Sequence, residues 1–225
     1  MTSHDSVASS GYRSLIIDCL RHGECEGARG LRGQQDVELT CDGRAAMHAS
    51  GARLPKPDRL LSSPLTRCRS VAVELAEQWG LECRIDDDLM EMHFGEWEGR
   101  SLRELADREP EALAAFWRDP ARAAPPGGEP LDAFETRVER AWQHCLAAPV
   151  QHQLIVTHGG VIKTWLAKAL KMETRQAMHL HRLEVAHSGV MRLRVELLPG
   201  EAPLAQLLFL GVPGASMTLP SLNSY

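Results

Sequence analysis

Two histidines each close an apolar run and are each followed by glycine. They are His22 in LIIDCLRHGE (15–24) and His158 in QLIVTHGG (153–160). Arg21 directly precedes the first, and Arg67 lies in SSPLTRC (62–68). Two guanidiniums, two imidazoles and exposed backbone N–H groups suit a tetrahedral dianion, and a phosphoryl group is the obvious guest. The glycines at 23, 159 and 160 would let backbone approach such a ligand closely. A neutral imidazole among cations can attack phosphorus directly, because surrounding positive charge disfavours its protonated form. The same cations would stabilise the equatorial oxygens in the transition state. The chain contains neither GxxxxGK[ST] nor HExxH, and no cluster of carboxylates accompanies the histidines, so neither a metal nor a cofactor is expected.

The leaving oxygen needs an acid. The candidate is Glu91 in LMEMHFGEWEGR (89–100), with Glu96 and Glu98 as rivals by position. A carboxyl group close to a phosphate dianion is pushed toward its protonated form and so is fit to donate. His93, in the same loop, is a candidate pocket residue. His179 and His181 in MHLHR would point apart on a helix, which argues against a metal pair. Trp97 and Trp117 read as anchors, although Trp117 would also suit a flat aromatic ligand.

These residues must be positioned by elements that alternate. Strands are expected at 14–20, 58–64, 81–86 and 153–157, and late paired strands at 189–198 and 204–212. Helices are expected at 40–54, from Ser63-Pro64 to Gly80, at 101–118, 130–147 and 161–172. Alternation of this kind predicts a three-layer α/β/α sandwich with a mostly parallel central sheet, whose ligands bind beyond the carboxyl ends of the strands. Arg21, His22 and His158 leave strands at that end, and Arg67 lies in the first turn of a following helix. Residues 14–212 are read as a single domain between a flexible N-terminal tail (1–13) and a C-terminal tail (213–225). Residues 101–147 are read as a small helical flap.

Composition narrows the class. The net charge of −5 and the lack of a basic block argue against nucleic acid or an anionic membrane as partner. No apolar run reaches the roughly 20 residues of a membrane span. Six cysteines without CxxC spacing suggest reduced thiols and a cytoplasmic protein.

RHGE (21–24), SSPLTR (62–67), EMHFGEWEG (91–99) and VTHGG (156–160) together resemble the histidine phosphatase superfamily, which includes the cofactor-dependent phosphoglycerate mutases. The resemblance implies a phosphoglycerate mutase-like sandwich without metal. It implies His22 as the phosphorylated residue, Arg21, Arg67 and His158 as holders of phosphoryl oxygens, and Glu91 as proton donor. Within the superfamily, RGLRGQQDVELT (29–40), EMHFGEWEGRS (91–101) and APPGGEPLDAFETRV (124–138) are most similar to the α-ribazole-5′-phosphate phosphatases of cobalamin biosynthesis. That likeness implies α-ribazole 5′-phosphate or adenosylcobalamin 5′-phosphate as the small-molecule substrate of a monomer or homodimer. The alternatives are a broad-specificity or sugar-phosphate phosphatase, a mutase, and a non-catalytic phospho-ligand module. Most members carry an asparagine shortly after RHGE, where this chain has CEGARG. Gly33 or Gln34 is expected to take over its contact, and Gly159 to add another. The family's SPLxRxxxT has Val71 in the threonine place, expected to be a change of packing only.

Overall fold

The computed structural model describes residues 11–172 and 182–213. Its centre is a six-stranded sheet. β1 (Arg13–Arg21) and β4 (His152–Thr157) pair in parallel, β2 (Arg59–Ser62) lies parallel to β4, and β3 (Cys83–Ile85) parallel to β2. β5 (Val190–Leu197) runs antiparallel to β1, and β6 (Leu204–Gly211) antiparallel to β5. The order is β3-β2-β4-β1-β5-β6. The mostly parallel sheet and the late antiparallel pair are therefore as expected.

Helices cover both faces, giving three layers. On one face α1 (Cys41–Gly51) and α2 (Thr66–Trp79) bury Met47, Val71 and Leu75 against Leu20, Leu60 and Val156. On the other, α5 (Leu131–Ala147) and α6 (Gly159–Ala169) bury Phe134, Trp142 and Trp165 against Ile17, Cys19 and Ile155. This is the alternation of a strand whose successive side chains point to opposite faces. Asp18 points to the α1/α2 side, where it is buried and bonded to both Arg192 (2.7 Å) and His152 (2.7 Å). Those bonds outweigh the burial and hold its carboxyl below the ordinary range.

Local chemistry sets the element ends. Thr40 caps α1 by accepting from Gly43 N (2.9 Å), and Gly80 closes α2 in the left-handed conformation (φ 65°). α2 begins at Thr66 rather than Pro64, because its cap comes from a distant loop. Asp36 accepts from Thr66 N (2.7 Å) and Oγ1 (2.8 Å). The single helix expected over 101–118 is two helices, α3 (Leu102–Arg108) and α4 (Pro110–Arg118). Pro110 lacks an N–H and drives Glu109 out of the helical region (φ −135°, ψ 49°), so the first helix ends there. Ser101 still caps α3 through Glu104 N (3.1 Å). Of the segment 101–147, α3 and α4 contribute Leu102, Phe116 and Trp117 to the lining of a cavity, and α5 contributes Phe134 to it while burying a full stripe in the core. His179 and His181 lie outside the described residues. No described helix is long and apolar enough to cross a membrane.

Candidate active site

Register brings the two histidines together. Arg21 pairs with Thr157 across β1 and β4, so both strands end level, and His22 N donates to Thr157 O (3.0 Å). Ser63 N donates to Val156 O (3.0 Å), which places the end of β2 beside them. The His22 and His158 rings are 5.2 Å apart. His158 Nε2 lies 2.8 Å from Ser63 Oγ.

His22 is 5% exposed and lines a cavity of about 930 Å³. Its Nδ1 lies 2.8 Å from Gly23 O. A carbonyl only accepts, so Nδ1 carries the proton and Nε2 keeps its lone pair. Burial, and then the Arg67 and Arg21 guanidiniums, push His22 well below the ordinary imidazole range. Burial, then Arg67 and His22, do the same to His158. Both rings are neutral near pH 7.

The arginines are held from behind. Arg67 is fully buried and donates to Gln35 O (2.8 Å) and Gly33 O (2.5 Å). Arg21 donates to Val185 O through Nη1, and its Nη2 lies 3.0 Å from His187 Nε2. The Nε atoms of both arginines are buried and have no acceptor among the described residues. Buried N–H donors are normally paired, and an oxyanion between the two arginines would pair them.

Of the three carboxylates in the Glu91 loop, only Glu91 lines the cavity. Its Oε2 accepts from Gly160 N (3.0 Å) and its Oε1 from Met92 N (3.0 Å). Glu98 accepts from Gln34 N (2.8 Å) and Phe94 N (3.0 Å), a loop-building role, and Glu96 is exposed. Arg21, His22, Arg67, Glu91, Gly33 and Gly159 thus meet at one cavity, with His158 buried against His22. Gln34 and His93 are not among the lining residues. The Gln34 side chain donates to Glu91 O (3.1 Å), and His93 Nε2 sits 3.7 Å from Glu98. Gly23 serves a different purpose from the one expected. A Cβ there would lie 2.2 Å from Gly43 O, so its clearance is for α1 and not for a ligand.

Four contributors had not been singled out from sequence. His187 lines the cavity with its ring 5.5 Å from that of His22, and burial followed by the Arg21 charge pushes it down to about 4. Lys163, one turn into α6, also lines it. Cys25 Sγ lies 3.6 Å from His22 Nδ1. Arg137 grips the loop of Glu91 from outside the cavity. A histidine in the turn before a late strand advertises itself only once that strand is known to run antiparallel, which brings its beginning beside the end of β1. The cavity also has an apolar lining, formed by Leu31, Phe94, Leu102, Phe116 and Trp117. Trp97 is fully buried edge-on to Phe116 (5.5 Å), whereas Trp117 is 46% exposed. Among the described residues no group of three or more His, Cys, Asp or Glu could hold a metal ion.

Comparison with known proteins agrees with this geometry. The family model of the histidine phosphatase superfamily (branch 1) matches residues 17–197. The adenosylcobalamin/alpha-ribazole phosphatase of Salmonella typhimurium is 36% identical over 166 residues, 71% of this chain and 82% of that protein. The glucosyl-3-phosphoglycerate phosphatase of Mycobacterium tuberculosis is 36% identical over 175 residues, 71% of this chain and 76% of that protein. A solved structure of a putative alpha-ribazole-5′-P phosphatase from Escherichia coli superposes with a TM-score of 0.75 at 27% identity. That match covers 88% of this chain and 96% of the other. With the motifs, the sheet and the family match in agreement, the chain belongs to the histidine phosphatase superfamily and is a phosphatase.

Proposed function

We propose that this phosphatase hydrolyses a phosphomonoester in two steps through His22, and that the ester is α-ribazole 5′-phosphate or adenosylcobalamin 5′-phosphate. The observation that carries the mechanism is the Nδ1-to-Gly23 hydrogen bond, which leaves the Nε2 lone pair of a neutral ring on the cavity side of two arginines. In the first step Nε2 attacks phosphorus, the P–O ester bond breaks, and Glu91 gives its proton to the departing alkoxide. Arg21 and Arg67, with His158, stabilise the equatorial oxygens. In the second step water attacks phosphorus, the P–N bond breaks, Glu91 takes the proton, and phosphate leaves.

The substrate reading rests on the apolar wall. Trp117, which is exposed, and Phe116, which is buried, line the same cavity as the arginines, and a flat heteroaromatic base would rest against the Trp117 face. The relative that acts on α-ribazole phosphate supports the same choice. A second reading, glucosyl-3-phosphoglycerate, is favoured by Arg29, Arg32 and Lys163 on the cavity wall, which suit an added carboxylate, and by the mycobacterial relative. Steady-state kcat/KM for the two esters separates the readings. A preference of at least tenfold for α-ribazole 5′-phosphate is expected, and a preference for the glucosyl ester would replace the first reading with the second.

A further inference from the structure

We infer that the Arg137–Glu129 pair is the positioning device for Glu91, locking the APPGGEP loop (124–130) to the loop of the proton donor. The inference deepens the mechanism above and rests on Glu91 being that donor.

Arg137, on α5, uses all five N–H donors of its guanidinium. Nη1 donates to Asp88 O (3.0 Å) and Met90 O (2.6 Å), and Nη2 donates to Glu91 O (2.9 Å). The remaining two bonds form a fork to Glu129, Nε to Oε1 (2.7 Å) and Nη2 to Oε2 (2.9 Å). Three carbonyls within residues 88–91 and one carboxylate are held by a single planar group, a geometry no lysine reproduces. Both partners are nearly buried, with side chains 11% and 14% exposed. Their mutual bonds are therefore poorly screened.

Glu129 extends the clasp. Its Oε2 also accepts from His93 N (3.2 Å), its own N–H donates to His93 O (2.8 Å), and Glu96 N donates to Pro126 O (2.9 Å). The loop before α5 is thereby zipped along residues 93–96. The Phe134 ring, under the Arg137 guanidinium at 4.8 Å, fills the cavity wall beside Glu91 and Gly160. Arg137 is not among the residues that line the cavity. It acts by holding the Glu91 backbone, so that the carboxyl lands at the leaving oxygen.

The test compares Glu129→Gln and Arg137→Lys with Glu91→Gln, and with each pair combined. The assay uses phosphomonoesters whose leaving groups range from good (aryl) to poor (alkyl), and thermal melting is followed in parallel. Glu129→Gln is nearly isosteric and keeps the fold in hand if Arg137→Lys melts early. The expected result is a loss on the order of tenfold for poor leaving groups, with little loss for good ones. In the Glu91→Gln background either substitution should cost less than threefold more, because residues acting through one group are not additive. A uniform loss across leaving groups, or full additivity with Glu91→Gln, would show a merely structural role and overturn the inference. Should Glu91→Gln itself show no dependence on the leaving group, the donor assignment fails and the inference falls with it.

Discussion

Gly160 donates its N–H to Glu91 Oε2 at 3.0 Å, and a Cβ at position 160 would stand 2.2 Å from Glu91 Oε1. The glycine is therefore the seat of the carboxyl group. Gly160→Ala should push the tip of Glu91 aside while sparing the fold, because that tip belongs to a flexible side chain. Alanine is also the better helix former, by about 1 kcal/mol. The melting temperature should hold within a few degrees, while kcat for alkyl phosphates falls on the order of a hundredfold. An undiminished kcat would show that the carboxyl position is not critical.

On the proposed α-ribazole reading, Trp117, exposed and lining the cavity, is the flat face offered to the base. Trp117→Ala should lower kcat/KM for α-ribazole 5′-phosphate about threefold to tenfold, the effect of losing about 0.5–1.5 kcal/mol of aromatic contact. It should leave kcat/KM for a small alkyl phosphate within twofold. Equal loss on both would make Trp117 a support of α4 and nothing more.

His187 orients Arg21 by lying 3.0 Å from Nη2. A ring pushed down to about 4 is neutral near pH 7, so its Nε2 can accept that bond. His187→Ala should weaken inhibition by inorganic phosphate severalfold and raise KM more than it lowers kcat. Unchanged phosphate inhibition would mean that Val185 O alone suffices to hold the guanidinium.

His22, His158 and His187 also make a prediction about pH. Each has a folded pKa below the unfolded value of about 6.5. Between those values the unfolded chain binds more protons, so stability rises with pH there. The contribution is complete above about pH 6.5 and is lost as pH falls toward the folded values. Urea titrations at pH 7.5 and 5.5 should show lower stability at pH 5.5, with a smaller difference in His158→Asn. An identical difference in that variant would contradict the neutral burial of His158. The acid limb of kcat/KM should likewise not report His22 near 6.5.

Much of the site was legible because its main parts stand at strand ends. An apolar run that stops at Arg-His-Gly or His-Gly-Gly marks where a parallel sheet opens, and the register of β1 and β4 did the rest. What escaped depends on contacts between distant segments. Nothing near Gly23 reveals that Gly43 of α1 crosses it. The same crossing explains why α1 carries a glycine that its own helix would rather lack, since a Cβ at 43 would lie 2.2 Å from Glu24 O. Nothing near Thr66 reveals that Asp36 will cap it. Pro110 did carry a local signal, and the apolar spacing of 101–118 hid it. Gln34 was expected to face the ligand, and instead braces the carbonyl of Glu91.

The most direct test is to trap the phosphoryl group. The protein would be mixed with phosphorus-labelled α-ribazole 5′-phosphate, or with a labelled aryl phosphate should the substrate prove different, and quenched in alkali within milliseconds. The label should be bound to the chain, stable to base, released by acid, and localised to the peptide holding His22. It should be absent from His22→Ala. Turnover of His22→Ala at the parental rate, or label that survives acid on another residue, would contradict nucleophilic attack by His22.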